Sequence, residues 1–463
     1  MHTFYLNTET VATAIDLVLL DQANMTDYLE HLSAAQQRWI SACRFNAEHA
    51  QVCILSDANG DICQVLAGWR ETEQPWTLGK IIDQLPLEMV YQLIIKTPAQ
   101  LDKAKLAYVW GCHCYQYTQY KEQTKQWPYL TVADLSQSEQ AYLQTALYAT
   151  YKVRDLINTP AEDCGPEHLE QAVHNLASKH DARVEVISGD DLIEAGYPLI
   201  HTVGRASHRE PKLLVLRWGQ EGDPVVALVG KGVCFDTGGL QIKPHGSMQT
   251  MKKDMGGAAH MLALAEMLMA SKASVQIVLW IAAVDNAVAA NAFRPGDVYY
   301  SRSGRTVEIG HTDAEGRLCL ADMLTASTSE DVDLVVDYAT LTGAQRVALG
   351  MGLPAIFCNN QAIANEIQTL SLQHYDPMWP LPLFADYKAQ LASRVADISS
   401  TGSSSYGGAI TAALFLESFL EKSVNWIHID AGAYNTSASP GKPEGGEAMG
   451  LITLYHYILR YYR

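Results

Sequence analysis

Long apolar runs are missing from this 463-residue chain. The longest uninterrupted one, Ile277 to Val284, stops at Asp285, far short of the roughly 18 residues a membrane-spanning helix needs. No segment is expected to cross a bilayer. Basic runs are missing too: acidic residues outnumber basic ones 51 to 33, the formal net charge is -18, and nothing could track a phosphate backbone, so nucleic acid is not an expected partner. A secretory start is also lacking, because MHTFYLNTETVATAIDLVLLDQ has no early Lys or Arg and Asp16 interrupts its apolar part; a cytoplasmic location is the expectation. The nine cysteines are odd in number and lack a disulfide-framework spacing. Cys112 and Cys114 flank His113 in AYVWGCHCY, where two positions of a strand would share a face. No second Cys or His pair completes four metal ligands, so reduced core cysteines are expected.

With 48% hydrophobic and 18% charged residues, the composition is that of a folded globular protein. The length suggests two or three domains, and the organisation argues for two. The first 130 or so residues carry short apolar runs (Gln51 to Leu55, Leu106 to Trp110) and polar helical stretches, but no clustered carboxylates or ligand-spaced histidines, and read as scaffold. The stretch Thr131 to Thr159 reads as a helix that Asp134 or Ser136 caps and Pro160 ends. Boundaries of 1–134 and 135–463 follow.

Beyond that helix, strands and helices alternate. Val184 to Ile187, Leu213 to Leu216, Val225 to Val229, Val275 to Ala283, Leu334 to Tyr338 and Trp426 to Ile429 are short apolar runs suited to buried strands. Helical stretches at Gly165 to Lys179, Gly256 to Met269, Arg317 to Thr328 and Ala409 to Leu420 separate them. The expectation is an α/β domain with its sheet covered on both faces, and ligands in such folds bind beyond the carboxyl ends of strands. SSTGSSSYGG, Ser399 to Gly408, reads as a loop opening a helix.

Two segments carry chemistry. In VVALVGKGVCFDTGGLQIKPHGSMQTMKKDMGGAAH, Val225 to His260, an apolar strand leads into a loop holding Lys231, Asp236, Lys243 and Asp254 near Gly232, Gly238 and Gly239. The segment lacks the spacing of a phosphate loop, and its Asp would repel a phosphate. In HTDAEGRLCLAD, after the strand Arg305 to Ile309, Asp313 and Glu315 aim two more carboxylates at one point, and Gly316 and Arg317 open a helix. Four acids at one site repel unless cations join them, so metal is implied. Oxygen-rich ligation without histidine suits Mn, Mg or Zn.

These segments resemble the leucyl aminopeptidase family: the first matches its GKG-FD-GG-KP-DMGGAA pattern, and HTDAEGRL matches its NTDAEGRL signature. RDLINTPAED at Arg154, ATLTGA at Ala339, GAITAALFL at Gly408 and WIHIDAGAY at Trp426 extend the match over the chain from Arg154 onward. The resemblance implies a smaller N-terminal α/β domain and a larger catalytic α/β domain whose central mixed sheet is flanked by helices. It further implies that Lys231, Asp236, Asp254 and Glu315 hold the tighter of two divalent metals, and that Asp236, Asp313 and Glu315 hold the exchangeable one. Mn or Zn is implied, with Mg or Co possible in the exchangeable site. Lys231 must be neutral to bind metal, so the cations must depress its pKa. Lys243 would stabilise the oxyanion, and Arg317 would hold a bicarbonate acting as general base toward a water shared by the metals. Thr340, Leu341 and Gly343 would make backbone contacts to substrate, and Met251 and Met449 would line the pocket for its first side chain. The implied activity removes N-terminal Leu or other apolar residues from peptides, with broad specificity, in a homohexamer.

His311 departs from the family's usual Asn. It reads either as a donor orienting Asp313 or, more simply, as a tolerated loop replacement; His428, in WIHID, reads as a core histidine rather than a ligand. Two rivals to the aminopeptidase reading are a two-metal phosphoesterase, disfavoured by the lack of ligating histidines, and a catalytically silent scaffold or DNA-binding regulator, disfavoured by charge and by the filled catalytic positions.

Overall fold

The computed structural model describes residues 3–9, 11–70, 73–99, 101–122 and 125–462. Two compact units result: Met1–Tyr151 with Ser437–Glu444, and Lys152–Thr436 with Gly445–Arg463.

In the first unit a six-stranded sheet runs in the order Leu6–Asn7, Tyr129–Thr131, Val90–Ile95, Ile15–Leu20, Ile62–Gly68, Val52–Ser56, parallel except for the last pair. Leu17 and Leu19 enter one core with Tyr91 and Trp110, while Val18 and Leu20 enter another with Phe45 and Leu55. The two-residue period of a strand requires that division, and apolar residues on both faces mark a sheet covered on both sides. AYVWGCHCY, read above as a strand, belongs instead to the helix Lys103–His113, whose first N–H groups are capped by the Asp102 carboxylate. Cys112 lies in its last turn and Cys114 at its cap, both buried. Residues two apart on a helix do not face each other, so the premise of a paired metal site fails. The next helix is Gln137–Asn158, and Thr131 ends a strand ahead of it. Ser136 starts the helix by a reciprocal pair of bonds: Glu139 N–H donates to Ser136 Oγ (3.3 Å), and Ser136 N–H donates to the Glu139 carboxylate (2.8 Å). Ser437–Glu444 belongs to this unit because Gly441 N–H donates to His113 Nδ1 (3.1 Å).

The second unit holds an eight-stranded mixed sheet in the order Trp379–Pro380, Ala355–Cys358, Asn425–Asp430, Leu334–Ala339, Val225–Asp236, Gln276–Asn286, Lys212–Trp218, Arg183–Ser188. The middle four strands are mutually parallel, so their carboxyl ends lie along one edge. On one face Ala227, Val229, Val278, Trp280 and Val335 pack with the helix Glu315–Ser329. On the other, the helix Gly256–Ala270 presses so closely that a Cβ on Gly257 would collide with the Tyr338 carbonyl. Each expected strand and helix of this part is present, with one large difference. Val225–Asp236 runs seven residues past Val229, because Gly230 to Asp236 remain paired with Gln276–Asn286 while the neighbour on the other side stops at the pair Tyr338 and Gly230. The expected loop around Lys231 is therefore a strand overhang. Asp254 likewise sits in a short 3-10 turn, Met251–Met255, that enters the helix Gly256–Ala270 directly.

Candidate active site

The overhang decides where the chemistry lies. Lys231 projects beyond the end of the shorter strand, Asp236 closes its own strand, Asn286 closes the next, and Thr340 follows Leu334–Ala339. All four positions share the carboxyl edge of the parallel strands, where the adjacent backbone groups have no further strand to pair with. Glycine makes the packing possible behind them: a Cβ on Gly316 would lie 2.5–2.7 Å from the Lys231 side chain.

Two lysines gather four carboxylates. Lys231 Nζ lies 2.8 Å from Asp254 Oδ2 and 2.9 Å from Glu315 Oε1, and donates to the Thr340 carbonyl at 3.2 Å. Lys243 Nζ lies 2.8 Å from Asp236 Oδ2 and also contacts Asp313 Oδ1. One oxygen each of Asp236, Asp313 and Glu315 falls within 4.8 Å of the others, a spacing suited to a metal ion. Asp254, in contact with Lys231, is not part of that triad. The donor set fits divalent cations, since it is rich in oxygen and Glu315 Oε2 is buried without a hydrogen-bond partner.

Burial and mutual repulsion shape the charges. Desolvation, then the Asp236 charge, pushes the Glu315 carboxyl up to about 8. Desolvation and the Asp254 charge push Asp236 up to about 6. Burial opposes the charged form of Lys231, but Asp254, Glu315 and Asp236 outweigh it and hold the amine above its ordinary value. Burial brings Arg317 down to about 10 and Lys253 down to about 8. Arg317 Nη1 donates to the Ser400 carbonyl at 2.6 Å, and its buried Nε has no partner.

The two motif loops are latched to each other. Thr312 Oγ1 donates to the Gly238 carbonyl (2.6 Å) and accepts from Gln241 N–H (2.9 Å), while Thr312 N–H donates to Gln241 Oε1 (2.9 Å). Gly238 and Gly239 take φ values of +87° and +67°, the left-handed turn that aims Lys243 back at Asp236. His311 accepts the Asp313 N–H at Nδ1 (3.0 Å), so it orients that residue through its backbone and as an acceptor, which is neither the donor nor the merely tolerated replacement that the sequence allowed. His428 is buried, pairs with Asp337 at 2.5 Å and takes no part in the Asp236, Asp313 and Glu315 group, as a core histidine does.

A cavity of about 240 Å³ opens beside these groups, lined by Lys231, Asp236, Lys243, Met251, Asp254 and Asp313 together with Arg317 and Thr340 to Ala344. Met449 is buried and does not line it; its backbone N–H donates to His260 Nε2 (2.9 Å). Leu341 N–H and Thr342 N–H donate to Asp430 Oδ1 at 3.0 and 3.1 Å, so Leu341 offers a substrate its carbonyl only. Sequence reasoning missed Asp430 and Asn286. Asn286 Nδ2 donates to Asp236 Oδ1 (2.8 Å) and to the Thr312 carbonyl (3.0 Å), tying both motifs together. The available signal was its place: a polar residue closing a buried strand beside the one that ends in Asp236.

Comparison with known proteins agrees over nearly the whole chain. Residues 151–455 match the cytosol aminopeptidase family, catalytic domain, and residues 15–133 match the M17 aminopeptidase, N-terminal domain. Peptidase B of Pectobacterium carotovorum subsp. carotovorum is 40% identical over 339 residues, 71% of this chain and 77% of that protein. The crystal structure of cytosol aminopeptidase from Coxiella burnetii is similar with a TM-score of 0.94 at 40% identity, covering 100% of both chains. The bottromycin maturation enzyme BotP in complex with Mn is similar with a TM-score of 0.86 at 28% identity, covering 98% of this chain and 100% of that one. With a mixed-sheet α/β architecture in both units and the family's two domains matched in order, the chain belongs to the cytosol (leucyl) aminopeptidase family and is a metallo-aminopeptidase, a hydrolase.

Proposed function

We propose that this enzyme removes the first residue of peptides at the lysine–carboxylate cluster, with broad specificity and a preference for Leu and other apolar residues. The observation that carries the reading is the convergence of Asp236, Asp313 and Glu315 within 4.8 Å, with Asp254 joined to Glu315 through Lys231 and with Asp236, Asp254 and Asp313 lining the cavity. On this reading Lys231, Asp236, Asp254 and Glu315 hold the tighter divalent ion, and Asp236, Asp313 and Glu315 hold the exchangeable one. Mn or Zn suits these donors, with Mg or Co possible in the exchangeable site. When bound, the pair supplies Lewis acidity that activates a water and anchors the substrate's amino terminus.

The chain's own residues do the rest. Lys243 stands at the cavity with its amine beside Asp236 and Asp313, placed to meet negative charge that develops on the scissile carbonyl oxygen only in the transition state. Arg317 is held by Ser400 and keeps a buried N–H unused, so an anion seated there gains a charge-assisted bond. Bicarbonate, as general base toward the water, fits that position. Thr340, Leu341 and Gly343 run along the cavity as backbone contacts, and Met251 gives the first side chain an apolar wall. Among the described residues no helix is long and apolar enough to cross a membrane, in keeping with a cytoplasmic peptide-degrading enzyme, and a homohexamer is the assembly the family resemblance implies.

The test is release of free leucine from a Leu-peptide but not from its N-acetylated form, lost on chelation, restored by Mn or Zn, and stimulated by bicarbonate. Cleavage of the acetylated peptide would refute anchoring of a free amino terminus. Phosphatase activity in the same preparation, or a gel shift with DNA at physiological salt, would favour the rival readings.

A further inference from the structure

The first unit holds a polar cluster that the aminopeptidase reaction does not use. His49 Nδ1 lies 2.6 Å from Glu73 Oε1, and Lys80 Nζ lies 3.0 Å from His49 Nε2. His49 stands 24 residues before Glu73 and 31 before Lys80, so only folding unites them.

The backbone fixes this geometry. His49 sits in a tight loop in which Ala47 and Ala50 take φ values of +54° and +52°. Ala50 N–H donates to the Gly68 carbonyl (3.1 Å), at the end of the strand Ile62–Gly68. Lys80 lies on the short helix Leu78–Ile82. Gln84 Nε2 donates both to the Ala50 carbonyl (2.9 Å) and to the Lys80 carbonyl (2.8 Å), which ties the loop to the helix.

The direction of the relay follows from its buried end. The Glu73 side chain is only 6% exposed, and its Oε2 is buried without a partner among the described residues, so the imidazole is the carboxylate's contact. That contact keeps the ring hydrogen on Nδ1 and turns the Nε2 lone pair toward Lys80. Lys103, Lys152, Lys212 and Lys388 meet carboxylates, which favour the charged amine. Lys80 meets a base instead, its one side-chain partner among the described residues. A nucleophile, a base within hydrogen-bond reach and a third group that orients the base form the arrangement that activates an amine. Both Lys80 and His49 are exposed, so a dissolved reagent reaches them.

We propose that Lys80 is a self-activating acylation site that takes small acyl groups from acyl phosphates or acyl thioesters. One ammonium proton passes to His49 Nε2, and the freed amine attacks the acyl carbonyl carbon. The C–N bond forms as the C–O bond to phosphate or the C–S bond to the thiol breaks. The second proton leaves with the departing phosphate or thiol, and His49 returns the first to water. Glu73 is a positioning residue that acts through the imidazole. The product is an uncharged amide, so the surface loses one positive charge.

The experiment incubates the full metal-loaded enzyme with acetyl phosphate or with acetyl-coenzyme A at neutral pH, and peptide mass spectrometry follows each lysine with time. Lys272, exposed and without a side-chain partner among the described residues, is the internal reference. Lys80 is expected to react roughly ten- to hundredfold faster than Lys272, at or below the usual worth of a positioned general base because the site is open to water. His49→Gln should bring Lys80 down to the Lys272 rate and Glu73→Gln should slow it severalfold, with Lys272 unchanged and the circular dichroism wild-type. A preference seen with one donor alone supports the proposal and names the donor class. Equal rates at Lys80 and Lys272 in wild type overturn it, and that comparison requires no variant to fold. A Lys80 preference that survives His49→Gln also overturns it and leaves the contact a structural one.

Discussion

Asn286→Ala isolates the tie between the two motifs. The wild-type amide donates to Asp236 Oδ1 at 2.8 Å and to the Thr312 carbonyl at 3.0 Å, and the residue is buried. A buried neutral bond nets about 1 kcal/mol and one to a charged group about 1.5–3, so the variant loses about 2–4 kcal/mol. At roughly 2–4 °C per kcal/mol for a unit of this class, the Tm falls by about 5–15 °C. Asp236 is also the proposed bridging ligand, and loss of a hydrogen bond that orients a ligand lowers metal affinity by about 10–100-fold. Scanning calorimetry reads the first effect, and competition for Mn against a chromophoric chelator reads the second. A lowered Tm with wild-type Mn affinity would make Asn286 a packing residue and would refute Asp236 as the shared ligand.

Lys243→Ala is expected to bind both metals and to lose about 10²–10³ in kcat, the usual worth of one oxyanion donor, whereas Asp254→Ala loses the tighter metal; full occupancy in Asp254→Ala by metal analysis breaks the ligand assignment. Gly316→Ala places a methyl 2.5–2.7 Å from the Lys231 side chain, so the amine must move and Mn binding weakens while the circular dichroism stays wild-type; undiminished affinity argues against Lys231 as a ligand. His260 donates from Nδ1 to the Gly256 carbonyl (2.6 Å) and accepts Met449 N–H at Nε2 (2.9 Å), and burial lowers it from 6.5 to about 4. It is neutral when folded and takes a proton when unfolded, so its contribution is present above pH 6.5 and is lost as pH falls toward 4. The span amounts to about 3 kcal/mol at 1.36 per pKa unit. Urea unfolding at pH 7 and pH 4.5 should show a smaller acid-side loss in His260→Gln than in wild type, and equal losses refute the neutral tautomer.

The catalytic sheet was legible because parallel strands buried on both faces leave short apolar runs such as Leu334 to Tyr338, and the helices between them keep a different period. What the sequence hid was where Val225–Asp236 ends. Gly230 and Gly232 look like loop residues, but each is forced by packing: a Cβ on Gly230 would lie 2.8 Å from Ala258 Cα, and one on Gly232 would lie 2.6 Å from the Ala282 carbonyl. The glycines thus mark close approach of the strand to a helix at Gly230 and to the neighbouring strand at Gly232, not a turn. The Cys112 region misled for the opposite reason, since Val109 and Trp110 favour strands while the Asp102 cap and the packing of both onto the first unit's core favour helix. The site's charged residues were visible as motifs, but Asn286 and Asp430 act through positions that only the folded sheet brings beside those motifs.

The pairing of lysines with acids also explains how such a site survives folding. Four carboxylates gathered at a buried strand edge would repel, and the chain answers with one ammonium between each two: Lys231 between Asp254 and Glu315, Lys243 between Asp236 and Asp313. Two negative charges remain, and the raised pKa of Glu315, about 8, removes one of them at neutral pH by keeping a proton. Breaking one member of such a network strands its partner, which is why buried pairs are costly to disrupt even when their net contribution is small. Divalent cations do the same electrostatic work with more charge in less space. On the proposed ligand assignment, bound cations would make both ammonium groups redundant as counterions, and the two lysines would part ways: Lys231, enclosed, would have to give up its proton to stay beside a cation, whereas Lys243, at the cavity wall, would keep its charge and could turn it toward the substrate's carbonyl oxygen.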